Sequence, residues 1–348
     1  MNMRLVVTGG CGFIGSAFLR HALAQPGVER VVDIDLLTYS GRVENVRELE
    51  ADARFRHVTA DIADAEAVEK VLEEERPTHL LNFAAESHVD RSLFAARRFV
   101  RTNIDGTLCL LEAVRGLRDR TGQDVRFLHV STDEVYGDLE DDDDAFRETT
   151  PLDPRNPYSA TKAGADLLAL AFARTHGVWL VVTRSSNNYG PRQYPEKLIP
   201  LMITNAIQGE QLPVYGDGLN VRDWLWVDDN CAGIWAALTR GQTCRVYNLG
   251  GASERKNIDV VKGILSALGK PESLIRYVKD RPGHDRRYAI DFSRARDELG
   301  WAPKMTFEEG LRRTVEWYVS HEAWWRPLRD ASFQDYYKQH YGRLGLPT

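Results

Sequence analysis

Short apolar runs rich in β-branched residues alternate with segments of helical spacing through the first half of the chain. Leu5 to Thr8, Val31 to Asp35, Phe55 to Ala60, Leu80 to Ala84, Val125 to Ser131 and Leu180 to Thr183 read as strands. Between them, Phe13 to Ala24, Ala65 to Leu72, Val100 to Val114 and Tyr158 to Ala173 carry helical periodicity. Strands that are apolar throughout, rather than alternating, are buried on both faces. With helices between them they imply a doubly wound, parallel α/β sheet.

After about Arg184 the pattern changes. Turn-rich stretches such as Asn187 to Pro191, Pro213 to Gly218 and Arg281 to His284 separate shorter helices, among them Leu198 to Ile207 and Phe307 to Tyr318. We expect a dinucleotide-binding domain over residues 1–184. A smaller lobe over residues 185–348 should cover the carboxyl edge of the sheet and return segments to it. The aromatic tail from Trp317 to Tyr341 reads as packing, and the acidic run Glu140 to Asp144 as a solvated loop.

The chain has 348 residues, 28% charged, with a formal net charge of −6, which disfavours a general nucleic-acid binder. Cys11, Cys109, Cys231 and Cys244 form no close pair, so free thiols in a reducing cytosol are expected, with no disulfide and no metal. No apolar run approaches the ~20 residues that span a bilayer. Met1 to Arg4 run straight into the first strand, without room for a signal peptide. A cytoplasmic protein is the expectation.

Chemistry enters with Gly9-Gly10-Cys11-Gly12-Phe13-Ile14-Gly15, placed between the first strand and the first helix. Glycines 9, 12 and 15 allow a tight turn and close approach of a pyrophosphate to the free N–H groups of the helix. Asp35 ends the second strand, 20 residues after Gly15, where a carboxylate accepts hydrogen bonds from adenosine ribose hydroxyls. It also repels a 2′-phosphate, and Leu36-Leu37 offer no arginine to receive one, so NAD is favoured over NADP. Asp33 is the lower-ranked acidic alternative. Asp61-Ile62 ends the third strand, near the expected adenine. Tyr158 and Lys162 lie four apart on one helix face, so the ammonium together with a bound nicotinamide would favour the phenolate. Ser131-Thr132-Asp133-Glu134 ends the fifth strand with two adjacent carboxylates, costly to bury without a chemical use.

These motifs resemble the extended short-chain dehydrogenase/reductase superfamily over nearly the whole chain. Further stretches resemble its dTDP-glucose 4,6-dehydratases: Ala84 to Ser92, Arg184 to Pro191, Pro195 to Pro200, Val221 to Trp224 and Arg281 to Asp285. The resemblance implies oxidation of a sugar at C4, loss of water across C5–C6 and return of the hydride to C6. Tyr158 would be the base at the C4 hydroxyl, with Thr132 bonded to it and Lys162 in support. Glu134 would take the C5 proton and Asp133 would protonate the leaving C6 hydroxyl. NAD would be lined by the glycine loop with Phe13 and Ile14, by Asp35, Leu36, Leu37 and Thr38, by Asp61 and Ile62, and by Phe83, Ala84, Ala85, Ser87, Thr102 and Asn188. Ser87, Thr132 and Asn187 would reach the sugar, while Lys197, Leu198, Pro213, Val214, Tyr215, Arg222, Asn257, Arg281 and His284 would hold the nucleotide diphosphate. Arg222 and Arg281 suit bidentate phosphate contacts and Tyr215 could stack on a pyrimidine. Cys11 and Trp226 depart from the usual pattern without touching this chemistry. The resemblance also implies a homodimer, formed by the helices near Val100 to Val114 and Tyr158 to Ala173.

Two other readings share part of these residues. A nucleotide-sugar 4-epimerase uses the glycines, Asp35, Tyr158 and Lys162 but has no need of Asp133-Glu134. A catalytically silent NAD-binding sensor needs none of the catalytic set. Thymidine rather than uridine rests on the resemblance, leaving UDP-glucose as an alternative substrate.

Overall fold

The computed structural model describes residues 2–346. Met1, Pro347 and Thr348, at the ends of the two expected lobes, lie outside the described residues. Strands β1 (Met3–Thr8), β2 (Val28–Asp35), β3 (Phe55–Thr59), β4 (His79–Asn82), β5 (Arg126–Thr132) and β6 (Leu180–Ser185) come first along the chain. β7 (Asn187–Tyr189), β8 (Leu212–Tyr215), β9 (Val221–Trp226), β10 (Arg245–Leu249), β11 (Glu254–Lys256) and β12 (Ile275–Val278) follow. Seven of them form a parallel sheet in the order β10-β6-β5-β4-β1-β2-β3. The order reverses between β1 and β4, the switch point where loops part and a ligand can lie across the strand ends.

Helices α1 (Phe13–Leu23), α2 (Ala65–Glu75), α3 (Val89–Phe99), α4 (Gly106–Thr121), α5 (Pro157–His176), α6 (Leu198–Gln208), α7 (Val227–Arg240) and α8 (Asn257–Ala267) are followed by α9 (Ser293–Leu299), α10 (Phe307–Ser320), α11 (Glu322–Trp325) and α12 (Ala331–Arg343). Successive strand residues point to opposite faces, so the sheet feeds two cores. Leu5, Val7, Val31, Leu81 and Leu128 pack with Phe18 of α1 and Ile234 of α7. Val6, Val32, Leu80 and Phe127 pack with Val68 of α2, Leu110 of α4 and Leu170 of α5. Full burial on both sides explains why these strands lack polar alternation.

A third core lies beyond the sheet edge, where Ile203 of α6, Trp224 of β9, Val261 of α8 and Leu311 of α10 meet around Trp325. Two small sheets, β11-β9-β7 and β12-β8, belong to this region. In the aromatic tail, Tyr318 and Trp325 are fully buried. The helix expected to start at Val100 differs in its first turn: Val100–Asp105 is π-helical, and regular α-helix begins at Gly106. Such a wide turn re-aims side chains and recurs at functional sites. Here it turns Thr102 toward the cleft and buries Asn103.

Candidate active site

The glycine loop joins β1 to α1 at the switch point. Gly9 has φ +72°, and a Cβ there would lie 2.7 Å from the Ala84 nitrogen, in the loop after β4. A Cβ on Gly15 would lie 2.1 Å from the Gly9 oxygen. Side chains are thus excluded where a pyrophosphate must approach backbone. The N-cap of α1 is Gly12, with no side-chain cap, so the first-turn N–H groups stay available to an anion.

The two acids of β2 separate cleanly. Asp33 is fully buried, its Oδ1 accepting from Gly10 N–H (2.8 Å) and its Oδ2 facing His57 Nδ1 (2.8 Å) and the Cys11 thiol (3.3 Å). Among the described residues, Cys11, Asp33 and His57 are the group of thiol, carboxylate and imidazole close enough to share a cation. Their polar atoms already satisfy one another. Asp35 accepts from Cys11 N–H (3.0 Å) and Leu37 N–H (2.8 Å) and lines the cleft. Burial, with Asp33 nearby, raises its carboxyl to about 6.

One continuous cleft is lined by Gly9, Gly12, Phe13, Ile14, Gly15, Asp35, Leu36, Thr38, Asp61, Ile62, Phe83, Ala84, Ala85, Ser87, Thr102, Tyr158, Lys162 and Asn188. Leu37 is not on its wall and packs against the core under α1. The loop from Ala84 to His88 is pinned by Asn103, whose side chain accepts from Glu86 N–H (2.9 Å) and donates to the Glu86 carbonyl (3.1 Å) and to Thr161 of α5 (2.9 Å).

Thr132, Asp133, Glu134, Tyr158 and Lys162 meet on the far wall of this cleft. α5 starts at a capping box: Asn156 accepts from Ser159 N–H (2.9 Å), Ser159 bonds back, and Pro157 takes the first helical position. That fixes Tyr158 in the first turn and Lys162 one turn later. Lys162 Nζ donates to the Val130 carbonyl at 2.7 Å rather than to the Tyr158 hydroxyl. Burial lowers Lys162 to about 8 and, together with Glu134, pushes the Tyr158 phenol up. Lys162 therefore makes no direct hydrogen bond to the Tyr158 hydroxyl, whose proton burial favours.

Asp133 is 1% exposed, with Oδ2 unpartnered. Burial, then Glu134 and Asp223, hold its carboxyl well above the usual range. Burial also raises Glu134, but Arg281, Lys197 and Arg222 oppose it. The two neighbouring acids thus sit in unequal environments, the arrangement that separates an acid from a base.

On the substrate side, Ser87, Thr132, Asn187 and Lys197 line the cleft, and Lys197 Nζ donates to the Ser87 carbonyl (2.7 Å). The buried Oδ1 atoms of Asn187 and Asn188 have no partner. Arg281, Arg222, Tyr215, His284, Asn257, Leu198 and Pro213 are not among the residues that line this cleft. Arg281 pairs with Asp90 (2.8 Å) and keeps its buried Nε unpartnered. The Arg222 fork is engaged by the carbonyls of Val221 (2.7 Å) and Asp285 (2.9 Å), and it lies over the Tyr288 ring at 4.3 Å. Tyr215 bonds Asp90 (3.1 Å) and His340 (2.7 Å) and stacks on Tyr341. One ring face expected to meet a base is therefore covered. Burial lowers His284 to about 4, so it is neutral at physiological pH and offers hydrogen bonds without charge. Val214 belongs to the third core, Leu198 packs on it, and Pro213 is buried in β8. Asn257 keeps an unpartnered buried Oδ1 at the start of α8. Sequence reading gave no role to Asp90, Glu196 or Tyr288 and read His340 as packing. Asp90 and Glu196 lay inside quoted motifs, which was the available signal.

A parallel sheet with a glycine loop at its switch point, an acid ending β2, and Thr132, Tyr158 and Lys162 on the cleft wall define an NAD-dependent enzyme of the extended short-chain dehydrogenase/reductase class. The chain belongs to the dTDP-glucose 4,6-dehydratase family within it. Residues 6–314 match the family described as GDP-mannose 4,6 dehydratase. A dTDP-glucose 4,6-dehydratase of Xanthomonas campestris is 51% identical over 342 residues, covering 94% of this chain and 97% of its own. The Escherichia coli protein of the same name is 46% identical, covering 95% and 98%. The Streptomyces venezuelae dTDP-glucose 4,6-dehydratase, solved with NAD bound, superposes with a TM-score of 0.89 at 45% identity, covering 94% and 100%. The Thermus thermophilus UDP-glucose 4-epimerase has TM-score 0.83 at 31% identity, covering 92% and 100%. The fold is common to both activities, so the site must separate them.

Proposed function

We infer that this chain is an NAD-dependent hydro-lyase that converts dTDP-glucose to dTDP-4-keto-6-deoxyglucose. The observation that carries the reading is the Asp133–Glu134 pair on the same cleft wall as Tyr158 and Lys162. A 4-epimerase exchanges a hydride at one carbon and has no step for either carboxylate.

Bound NAD would take the hydride from C4 and return it to C6, and its positively charged ring would favour the Tyr158 phenolate. Tyr158 removes the C4 hydroxyl proton while Thr132 bonds the same hydroxyl. The C4 ketone acidifies the C5 proton, which Glu134 removes; Arg281, Lys197 and Arg222 support its ionised form. Asp133, held protonated, gives its proton to the C6 hydroxyl, which leaves as water. Glu134 then returns a proton to C5 as the hydride reaches C6.

Lys197 and Arg281 supply charge for the diphosphate, and Asn187 a free acceptor for the sugar. The dTDP base follows the relatives' substrate, with UDP-glucose as the competitor. A homodimer through α4 and α5 is supported by the exposed Leu167 of α5, at 59%, with Phe94 of α3 at 73%. Four free thiols fit a cytoplasmic protein.

The test is incubation with dTDP-glucose, UDP-glucose and GDP-mannose in turn, followed by product mass. Loss of one water from dTDP-glucose, abolished in Glu134→Gln, is expected. Unchanged mass with inverted C4 stereochemistry would make the enzyme an epimerase.

A further inference from the structure

Three side chains from separate parts of the chain meet beside the cleft, where Glu196 is on its wall. Tyr39, in the loop after β2, donates its hydroxyl to Glu196 Oε1 at 2.6 Å, across 157 residues of sequence. Arg91 of α3 donates Nε to the other Glu196 oxygen at 3.0 Å. Its guanidinium lies over the Tyr39 ring at 4.1 Å and over the Tyr336 ring of α12 at 4.3 Å. Tyr194 packs edge-on against Tyr39 at 5.4 Å.

The position matters more than the bonds. Thr38, Ser40 and Gly41, around Tyr39, line the cleft, and so do Tyr194, Glu196 and Lys197. The Tyr39–Glu196 bond therefore ties together two segments of the cleft wall that are far apart in sequence. The Tyr39 loop is itself pinned: Leu37 has φ 55°, a conformation that costs a bulky residue energy, and its N–H is held by Asp35. Glu196 is 7% exposed, and a buried carboxylate is kept only where its partners compensate the lost water. An apolar contact would pack these segments at lower cost; a charged, hydrogen-bonded one fixes their register.

We propose that Tyr39, Glu196 and Arg91 form a strap that retains NAD between turnovers. The inference rests on the dehydratase reading: a hydride taken at C4 and returned at C6 leaves the cofactor unchanged, so no step requires its exchange. An enzyme releasing NADH each cycle would have to open this strap every time.

The experiment loads the full-length protein with radiolabelled NAD, chases with unlabelled NAD and follows label on the protein. Tyr39→Phe and Glu196→Gln are each expected to release label at least about tenfold faster than wild type, since each weakens a hydrogen bond to a charged group. Tyr39→Phe should recover wild-type kcat at saturating NAD, which a misfolded variant would not. Wild-type release rates in both variants, or a kcat in Tyr39→Phe that excess NAD fails to restore, would overturn the strap. The release assay contains no sugar nucleotide, so failure of the dehydratase reading would appear separately, as no water lost from dTDP-glucose in the wild type.

Discussion

Lys162 Nζ donates to the carbonyl oxygen of Val130 at 2.7 Å, two residues before Thr132. The bond fastens α5 to the end of β5, so Tyr158 on the helix and Thr132 on the strand share one wall. The ammonium is buried, and burial lowers it to about 8. Between that value and the ordinary lysine value near 10.5, the unfolded chain is protonated and the folded one is not. Wild-type stability should therefore rise with pH in this window. Lys162→Met lacks this proton linkage. Its stability relative to wild type should fall, by up to about 3 kcal/mol, between pH 7.5 and pH 10.5. Urea denaturation at the two pH values measures it. A constant difference would remove the buried ammonium from the picture. Activity should fall by about 10²–10⁴.

Asp133→Asn keeps the size of the acid but cannot give up a proton at C6. Oxidation at C4 should survive while elimination slows by about 10²–10⁴. Mixing enzyme with dTDP-glucose should then give a standing absorbance at 340 nm in the variant and little in wild type. Equal traces would place Asp133 outside the elimination step.

The carboxyl of Asp35 sits at about 6 in the free protein. Ribose hydroxyls bond its ionised form, so NAD binding should expel the proton. Affinity should be flat above pH 7 and decline as pH falls through 6, approaching tenfold per unit below it. Calorimetric titration of NAD from pH 5 to 8 reads this slope. An affinity independent of pH would assign the ribose contact elsewhere.

Asn156→Ala removes the N-cap of α5 and one half of its capping box. A loss of about 1 kcal/mol is expected by chemical denaturation, with a lower kcat because Tyr158 is two residues into that helix. A destabilised variant with unchanged kcat would mean that the cap does not position the phenol.

The sheet and the shared cleft wall of Thr132, Tyr158 and Lys162 were legible because each rests on local pattern. β1, β2 and β5 each put apolar residues on both faces of the sheet, and Tyr158 and Lys162 are four apart on one helix. What was not legible depends on distance. Asp90 meets Arg281 across 191 residues and Tyr215 across 125, and each is an ordinary polar residue in sequence. The tail reads as packing, and much of it is, yet His340 and Tyr341 complete the surroundings of Tyr215. β7 is three residues with two asparagines, too short and too polar to register as a strand. The π-helical turn at Val100–Asp105 has no composition of its own, because hydrogen bonds of Asn103 to Glu86 and Thr161 help hold it.

Transfer of the C4 hydrogen to C6 within one molecule is the step that distinguishes this chemistry from 4-epimerisation on the same fold. The direct measurement is turnover of dTDP-glucose deuterated at C4, with the product analysed by mass and NMR. Deuterium at C6 of a 4-keto product that has lost one water is the expected result. Deuterium retained at C4 of a product of unchanged mass would contradict it.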